Sequence, residues 1–201
     1  MTRQADLFGA PRDLPDGFSY YPDFLDRAAE RALLDALRAL PFAAAQYKEW
    51  TAKRRIVSYG GRYDFSQSEL LPAGPIPELL EPLRIRLAQR TGLPAHDFTH
   101  ALVAEYQPGT PLGWHRDVPE FDAIAGVSLL GAARMRLRRY PPPLGQRAEL
   151  ALDLEPRSAY AMIGPARWRW QHAISPTKEL RYSITFRTLV RTPSTSSTSP
   201  S

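Results

Sequence analysis

The chain has 201 residues, 43% of them hydrophobic and 10% aromatic, which is too apolar for a disordered polymer and enough for one sizeable core, whereas two domains would each be marginal. It contains no cysteine, which excludes disulfides and thiolate chemistry and leaves any metal to His, Asp and Glu. The formal net charge of +5 suits a polyanionic partner, and no apolar run reaches membrane-spanning length, so the expectation is a monomeric cytoplasmic protein away from the membrane.

Residues 1–22 form a polar extension with no period. From Asp23 onward Phe24, Leu25, Ala28, Ala29, Ala32, Leu33, Ala36, Leu37 and Leu40 recur at helical spacing, with Asp23 as N-cap and Pro41 as the stop. Residues 42–75 read as irregular and aromatic: Phe42, Tyr47, Trp50, Tyr59, Tyr63 and Phe65 are interleaved with Lys48, Lys53, Arg54, Arg55 and Arg62. Rings among cations can stack bases while neutralising phosphates, and they equally serve a hairpin core. Pro77 to Arg90 predicts a second helix, regular from Pro82 and closed by Gly92 and Pro94.

His96-Asp97-Phe98-Thr99-His100 has the spacing of a helical zinc site. The acid is Asp rather than Glu, a helix has just been closed, and Ala101 to Tyr106 continues as a strand, so both imidazoles are expected on the surface. In Trp114-His115-Arg116-Asp117 an imidazole and a carboxylate two residues apart in an extended segment project from one side. That geometry suits two adjacent ligands of one ion.

Ile124 to Leu130 reads as a buried strand. Arg134, Arg136, Arg138 and Arg139 alternate with Met135 and Leu137, and beyond the turn at 141–145 Leu150, Leu152 and Leu154 alternate with Glu149, Asp153 and Glu155. Paired, these make a hairpin with apolar residues inward and opposite charges outside. Ser158 to Gly164 is a short strand, and Gly164-Pro165 a turn into a strand from Trp168 to Ile174 on which Trp168, Trp170 and His172 share a face. In the last strand Arg181, Ser183, Thr185 and Arg187 line one face and Tyr182, Ile184 and Phe186 the other; alone, this fits an edge strand with a wet side. Thr192 onward is low-complexity and expected to be disordered.

His-x-Asp, the later His172 and the Arg-Tyr-Ser-Ile-Thr-Phe-Arg strand together resemble the AlkB family of iron(II) and 2-oxoglutarate dependent dioxygenases, over roughly Arg55 to Leu189. The resemblance implies an α+β, mainly β double-stranded β-helix, or jelly roll, with two N-terminal flanking helices over residues 1–191. It implies Fe(II) held by His115, Asp117 and His172, with 2-oxoglutarate and O2 as co-substrates. Arg181 would pair with the distal carboxylate of 2-oxoglutarate, Arg187 would lie near its chelating end, and Tyr106 and Ser183 would complete that site. Residues 42–75 would be a substrate lid, with Arg55, Tyr59, Tyr63 and Trp114 as substrate contacts.

The implied reaction is oxidative dealkylation of N-alkylated bases in DNA or RNA, giving succinate, CO2 and formaldehyde; the alternative is a related oxygenase acting on a protein or small molecule. Three departures from the family pattern bear on this. Ala104 stands where the family often has Asn, so one hydrogen bond to 2-oxoglutarate is either missing or supplied elsewhere, and Ser183 stands where the last strand usually has Asn. Pro119 stands where the best-known members place the acid that contacts the damaged base.

Overall fold

A computed structural model describes residues 14–47, 50–64, 67, 69–143 and 149–191, without the side chains of 45–47 and 50–52. Most of the expected N-terminal extension, the tail from Thr192, and Lys48, Phe65, Leu144 and Gly145 lie outside the described residues, as do the side chains of Tyr47 and Trp50. In chain order the elements are β1 (Phe18–Tyr21), α1 (Arg27–Leu37), β2 (Ala43–Tyr47), β3 (Trp50–Tyr59), β4 (Arg62–Asp64), β5 (Glu69–Leu71), α2 (Glu81–Thr91) and β6 (Phe98–Tyr106). There follow β7 (Leu112–His115), β8 (Phe121–Leu129), β9 (Ala133–Arg139), β10 (Glu149–Leu154), β11 (Ala159–Met162), α3 (Pro165–Trp168), β12 (Trp170–Ile174) and β13 (Arg181–Leu189).

Asp26, not Asp23, caps α1: its carboxylate accepts from the Ala29 N–H at 2.8 Å. Asp23 has φ +50 and belongs to the preceding turn, so Phe24 and Leu25 sit before the helix as buried anchors, although they continue its apolar spacing. The helix ends at Leu37, ahead of Pro41. In α2 Pro82 occupies the first turn, where no intrahelical N–H is required, and Gly92 closes the helix at φ +73, as expected.

The strands form two facing antiparallel sheets, ordered β1-β11-β8-β13-β6-β3-β2 and β10-β9-β12-β7, with β4 and β5 as a separate hairpin. One face of the larger sheet buries Val103, Val127, Ile184 and Phe186 against Leu37, Leu80, Leu83 and Leu87 of the helical layer. The opposite face places Ile124, Tyr160 and Met162 against Met135, Leu137, Leu152, Leu154 and Ile174 of the smaller sheet. This is the expected jelly roll, mainly β, with α1 and α2 packed outside it.

Two expectations change. The segment after Phe42 is not irregular, because β2 and β3 extend the larger sheet and β3 pairs with β6 in the register Arg55↔Glu105 and Val57↔Val103. Trp168 lies on α3, one turn begun by Gly164-Pro165, and so does not share a strand face with His172. β13 runs between β8 and β6 and is buried from Arg181 to Thr188, so its polar face is not the wet side of an edge strand that its pattern alone would fit. The arginine hairpin forms as expected, with Arg134 on Asp153 and Arg136 on Glu149 outside and Met135 and Leu137 inside.

Phe186 is fully buried in the layer between β13 and the helices. Phe186→Ala should lower unfolding stability by about 3–5 kcal/mol in urea titrations, as expected when a large core side chain leaves a cavity.

Candidate functional site

Strand alternation separates β13 into two environments. Tyr182, Ile184 and Phe186 face the helices, while Arg181, Ser183, Thr185 and Arg187 face the interior between the sheets. On β6 the interior row is set by register: Tyr106 lies opposite Arg181, Ala104 opposite Ser183, and His100 opposite Arg187. Ser128 of β8 faces Ser183 from the other side, and its Oγ accepts from Arg181 Nε at 3.0 Å. The guanidinium of Arg181 also lies 5.0 Å from the Tyr106 ring, and its Nη1 is buried without a partner.

At the other end of the row His115, Asp117 and His172 converge. One donor atom from each lies within 4.8 Å of the other two. His172 of β12 is directly across from His115 of β7, and the ring centroids are 4.2 Å apart. The register shifts between this pair and Ile174↔Leu112. Two residues of β12 thus span three of β7, and the extra residue lets Leu112 and His115 both face inward despite their odd spacing.

Each donor is prepared by its surroundings. His115 Nδ1 is 2.8 Å from the Gly113 carbonyl oxygen, which leaves Nε2 free. Asp117 Oδ1 accepts from Arg187 Nε at 2.8 Å, which leaves Oδ2. That oxygen is 3.9 Å from His172 Nε2, too far for a hydrogen bond and suited to two donors meeting one cation. Burial alone would raise the Asp117 carboxyl, but Arg187, with the two imidazoles, outweighs it and holds the group well below the usual carboxylate range. Burial pushes His172 down to about 3 and lowers His115 as well, so both imidazoles keep their lone pairs at neutral pH. Two neutral imidazoles and one carboxylate fit a divalent transition metal that keeps open positions.

Other residues that sequence reasoning missed complete the wall. His100 is not on the surface: it is 5% exposed, packs on Phe121 with centroids 4.6 Å apart, and accepts at Nδ1 from the Arg187 guanidinium at 3.3 Å. Its period-two relation to Tyr106 is the signal that marks it. His96 is exposed, as expected. The buried Arg167 of α3 donates from Nη2 to the carbonyls of Asp117, Val118 and Phe121, which clamps the loop carrying the carboxylate.

The expected substrate contacts divide. Arg55 faces the helical side, where it makes a bidentate pair with Glu105 at 2.8 Å, and Tyr59 packs on the same helical core. Arg54, on the interior side of β3, instead reaches the Tyr106 hydroxyl at 3.4 Å. Trp114 faces outward beneath Arg136 and Arg138. Tyr63 is half-buried on β4. A cleft of about 410 Å³ opens beside Asp117, lined by Arg116, Val118, Pro119, Tyr140, Arg167, Trp168 and Gln171. A second hollow of about 430 Å³ lies at the end of α2, behind the larger sheet, and has no ionisable lining.

The profile of the 2OG-Fe(II) oxygenase superfamily matches residues 17–187. An uncharacterized protein of Acanthamoeba polyphaga mimivirus is 27% identical over 193 residues, covering 88% of this chain and 86% of that protein. The alkylated DNA repair protein ALKBH8 homolog of Arabidopsis thaliana is 29% identical over 182 residues, 79% of this chain but 50% of the plant protein, so the chain spans half its length. Among solved structures, OsALKBH1 superposes with a TM-score of 0.64 at 18% identity, over 89% of this chain and 99% of that one. A Pseudomonas putida prolyl-4-hydroxylase gives 0.60 at 14% identity, over 87% and 93%. At such identities the two structures speak for the fold.

The folded protein keeps His100 neutral, since burial and Arg187 lower it to about 3 from 6.5. The unfolded chain takes up that proton below about pH 6.5. His100 therefore contributes stability that is complete above that pH and lost as pH falls from 6.5 towards about 3. In urea titrations of metal-free protein at roughly pH 4 to 7, His100→Gln should lose stability with acid less steeply than wild type, by up to about 1.4 kcal/mol per pH unit; equal slopes would show that His100 protonates within the fold.

Proposed function

The chain belongs to the 2OG-Fe(II) oxygenase superfamily, and from that premise we propose that it removes alkyl groups oxidatively from bases in DNA or RNA. It is a 2-oxoglutarate-dependent dioxygenase using Fe(II), 2-oxoglutarate and O2. In this reading His115, Asp117 and His172 hold the metal. Arg181, Tyr106 and Ser183 take the distal end of 2-oxoglutarate, and Arg187 acts near its chelating end while fixing Asp117. When bound, the metal and its co-substrates supply an oxidant that hydroxylates a substrate C–H bond, with succinate and CO2 as products. On an N-methyl group the resulting hemiaminal sheds formaldehyde.

The residues of this chain supply binding, charge and dryness. Arg187 keeps Asp117 ionised, burial keeps the imidazoles unprotonated, and the facing sheets exclude water from the reacting centre.

The observation that carries the nucleic-acid reading is the cleft rim. Arg116 lies 4.2 Å from the exposed Tyr140 ring and donates to the Trp168 carbonyl; outside the cleft lining, next to Tyr140 in the chain, Arg139 lies 5.6 Å from Trp170. Guanidinium and aromatic faces at the mouth of such a cleft can stack a base and neutralise the adjoining phosphates. The name of the Arabidopsis relative, an alkylated DNA repair protein, supports the same reading. The lid role narrows to the β4–β5 hairpin, whose root at Gly61 lies against His100 beside Arg187.

A monomeric, cytoplasmic protein completes this reading. No helix among the described residues is long and apolar enough to cross a membrane. Pro119, an apolar residue in the cleft wall, favours the second reading, an oxygenase of a protein or small molecule.

Anaerobic addition of Fe(II) and 2-oxoglutarate should give the visible absorption of the chelate in wild type and none in Asp117→Ala. In air, a panel of methylated oligonucleotides should yield succinate and demethylated product. Replacing Arg116 and Arg139 together by Ala should raise the oligonucleotide KM severalfold and reduce its salt dependence by about one phosphate contact per arginine, with 2-oxoglutarate affinity unchanged. Succinate formation stimulated by a peptide or small molecule and by no oligonucleotide would replace the nucleic-acid reading with the second one.

A further inference from the structure

Beside the floor between Arg181 and Arg187 the hydroxyl of Tyr160 has no role so far. Tyr160 lies on β11 opposite Gly126 of β8, and Gly126 lies opposite Thr185 of β13. The Tyr160 ring crosses directly over Gly126. A Cβ built there would meet the ring at 2.5 Å and the hydroxyl oxygen at 2.7 Å, so glycine is what admits the phenol. The outer end of the ring is held by a parallel stack on Phe18, with centroids 6.0 Å apart at 9°. Two constraints therefore hold the hydroxyl over the interior row of the larger sheet.

That hydroxyl makes no hydrogen bond among the described residues, although Tyr160 is 6% exposed. Its charged neighbours are Asp117, Arg181 and Arg187, with Tyr106 beside them. Across this stretch Ala104 and Leu102 face Ser183 and Thr185, so β6 offers no side-chain donor between Tyr106 and His100. Arg181 Nη1, on the same interior face, is buried without a partner, which costs stability. This nitrogen and the hydroxyl are both donors, and an anionic oxygen would satisfy both.

We propose that the Tyr160 hydroxyl is a further hydrogen-bond donor to 2-oxoglutarate, held in place by Phe18 and admitted by Gly126. Burial, with the Asp117 charge next, pushes the phenol up to about 12. It is therefore protonated at neutral pH and able to donate. The role rests on the co-substrate and stands whether the substrate is nucleic acid or not.

Tyr160→Phe removes the oxygen and retains the ring on Phe18 and over Gly126. In anaerobic calorimetric titrations of the Fe(II)-loaded protein, it should weaken 2-oxoglutarate binding by about tenfold to a hundredfold, the loss expected for one hydrogen bond to a charged acceptor. Metal affinity and melting temperature should match wild type, which shows that the fold and the metal site are intact. Ser19→Ala, on the same strand as Phe18 and outside the chamber wall, serves as a control with unchanged 2-oxoglutarate affinity. Equal 2-oxoglutarate affinity in wild type and Tyr160→Phe would overturn the proposal while leaving the co-substrate assignment standing. No binding to wild type would instead remove the co-substrate assignment itself.

Discussion

The site depends on Asp117 remaining charged although its side chain is only 8% exposed. A carboxylate that deeply buried would ordinarily take up a proton, because burial disfavours its charged form. The Arg187 guanidinium at 2.8 Å reverses that preference, and losing either member of such a pair would strand the other at a cost of about 3–5 kcal/mol. Arg187 is itself fixed on several sides: it lies in β13 between two neighbouring strands, 5.4 Å from the Phe121 ring, and donates to a neutral His100. The Asp117 backbone is fixed separately, by the carbonyl clamp of Arg167. Charge and position of the carboxylate thus come from different elements.

How much of this could be read from the sequence follows from which facts are local. Alternation is local, so the polar row Arg181, Ser183, Thr185 and Arg187 and the shared side of His115 and Asp117 were legible. Register is not local. Which of Arg54 and Arg55 faces the interior depends on how β3 aligns with β6, fifty residues away, and a slip of one position would exchange them. The same limit explains His100: its spacing from His96 draws attention to a metal motif, whereas its place opposite Arg187 exists only once β6 and β13 pair. A strand's centrality is likewise non-local, which is why β13 alone fits an edge as well as an interior position. The reading of His115, Asp117 and His172 as metal ligands rests on resemblance to a known pattern, and three isolated side chains would not have sufficed.

Two other outcomes reflect short-range competition. Asp26 rather than Asp23 caps α1 because Asp26 can place its carboxylate on the Ala29 N–H, whereas Asp23 is already committed to a turn at positive φ. The apolar spacing that begins at Phe24 is real, but it serves burial and not helix length. At Gly164-Pro165 the glycine turns the chain and the proline opens a helical turn, a start signal that the aromatic run Trp168-Arg169-Trp170 obscured. That single turn supplies Arg167, so the missed helix and the missed clamp are one event.

The groups without partners indicate how binding is coupled. Buried polar atoms in folded proteins usually find partners, yet His172 Nδ1 and Arg181 Nη1 do not, and both residues lie on interior faces of the two sheets. Two guanidiniums against one carboxylate leave that interior with a positive excess. A divalent cation held by the triad would add to that excess, and a dicarboxylate beside Arg181 and Arg187 would lower it. Each ligand would therefore favour the other electrostatically, and by linkage the preference would be mutual. The same excess would oppose a cation with no anion to follow it.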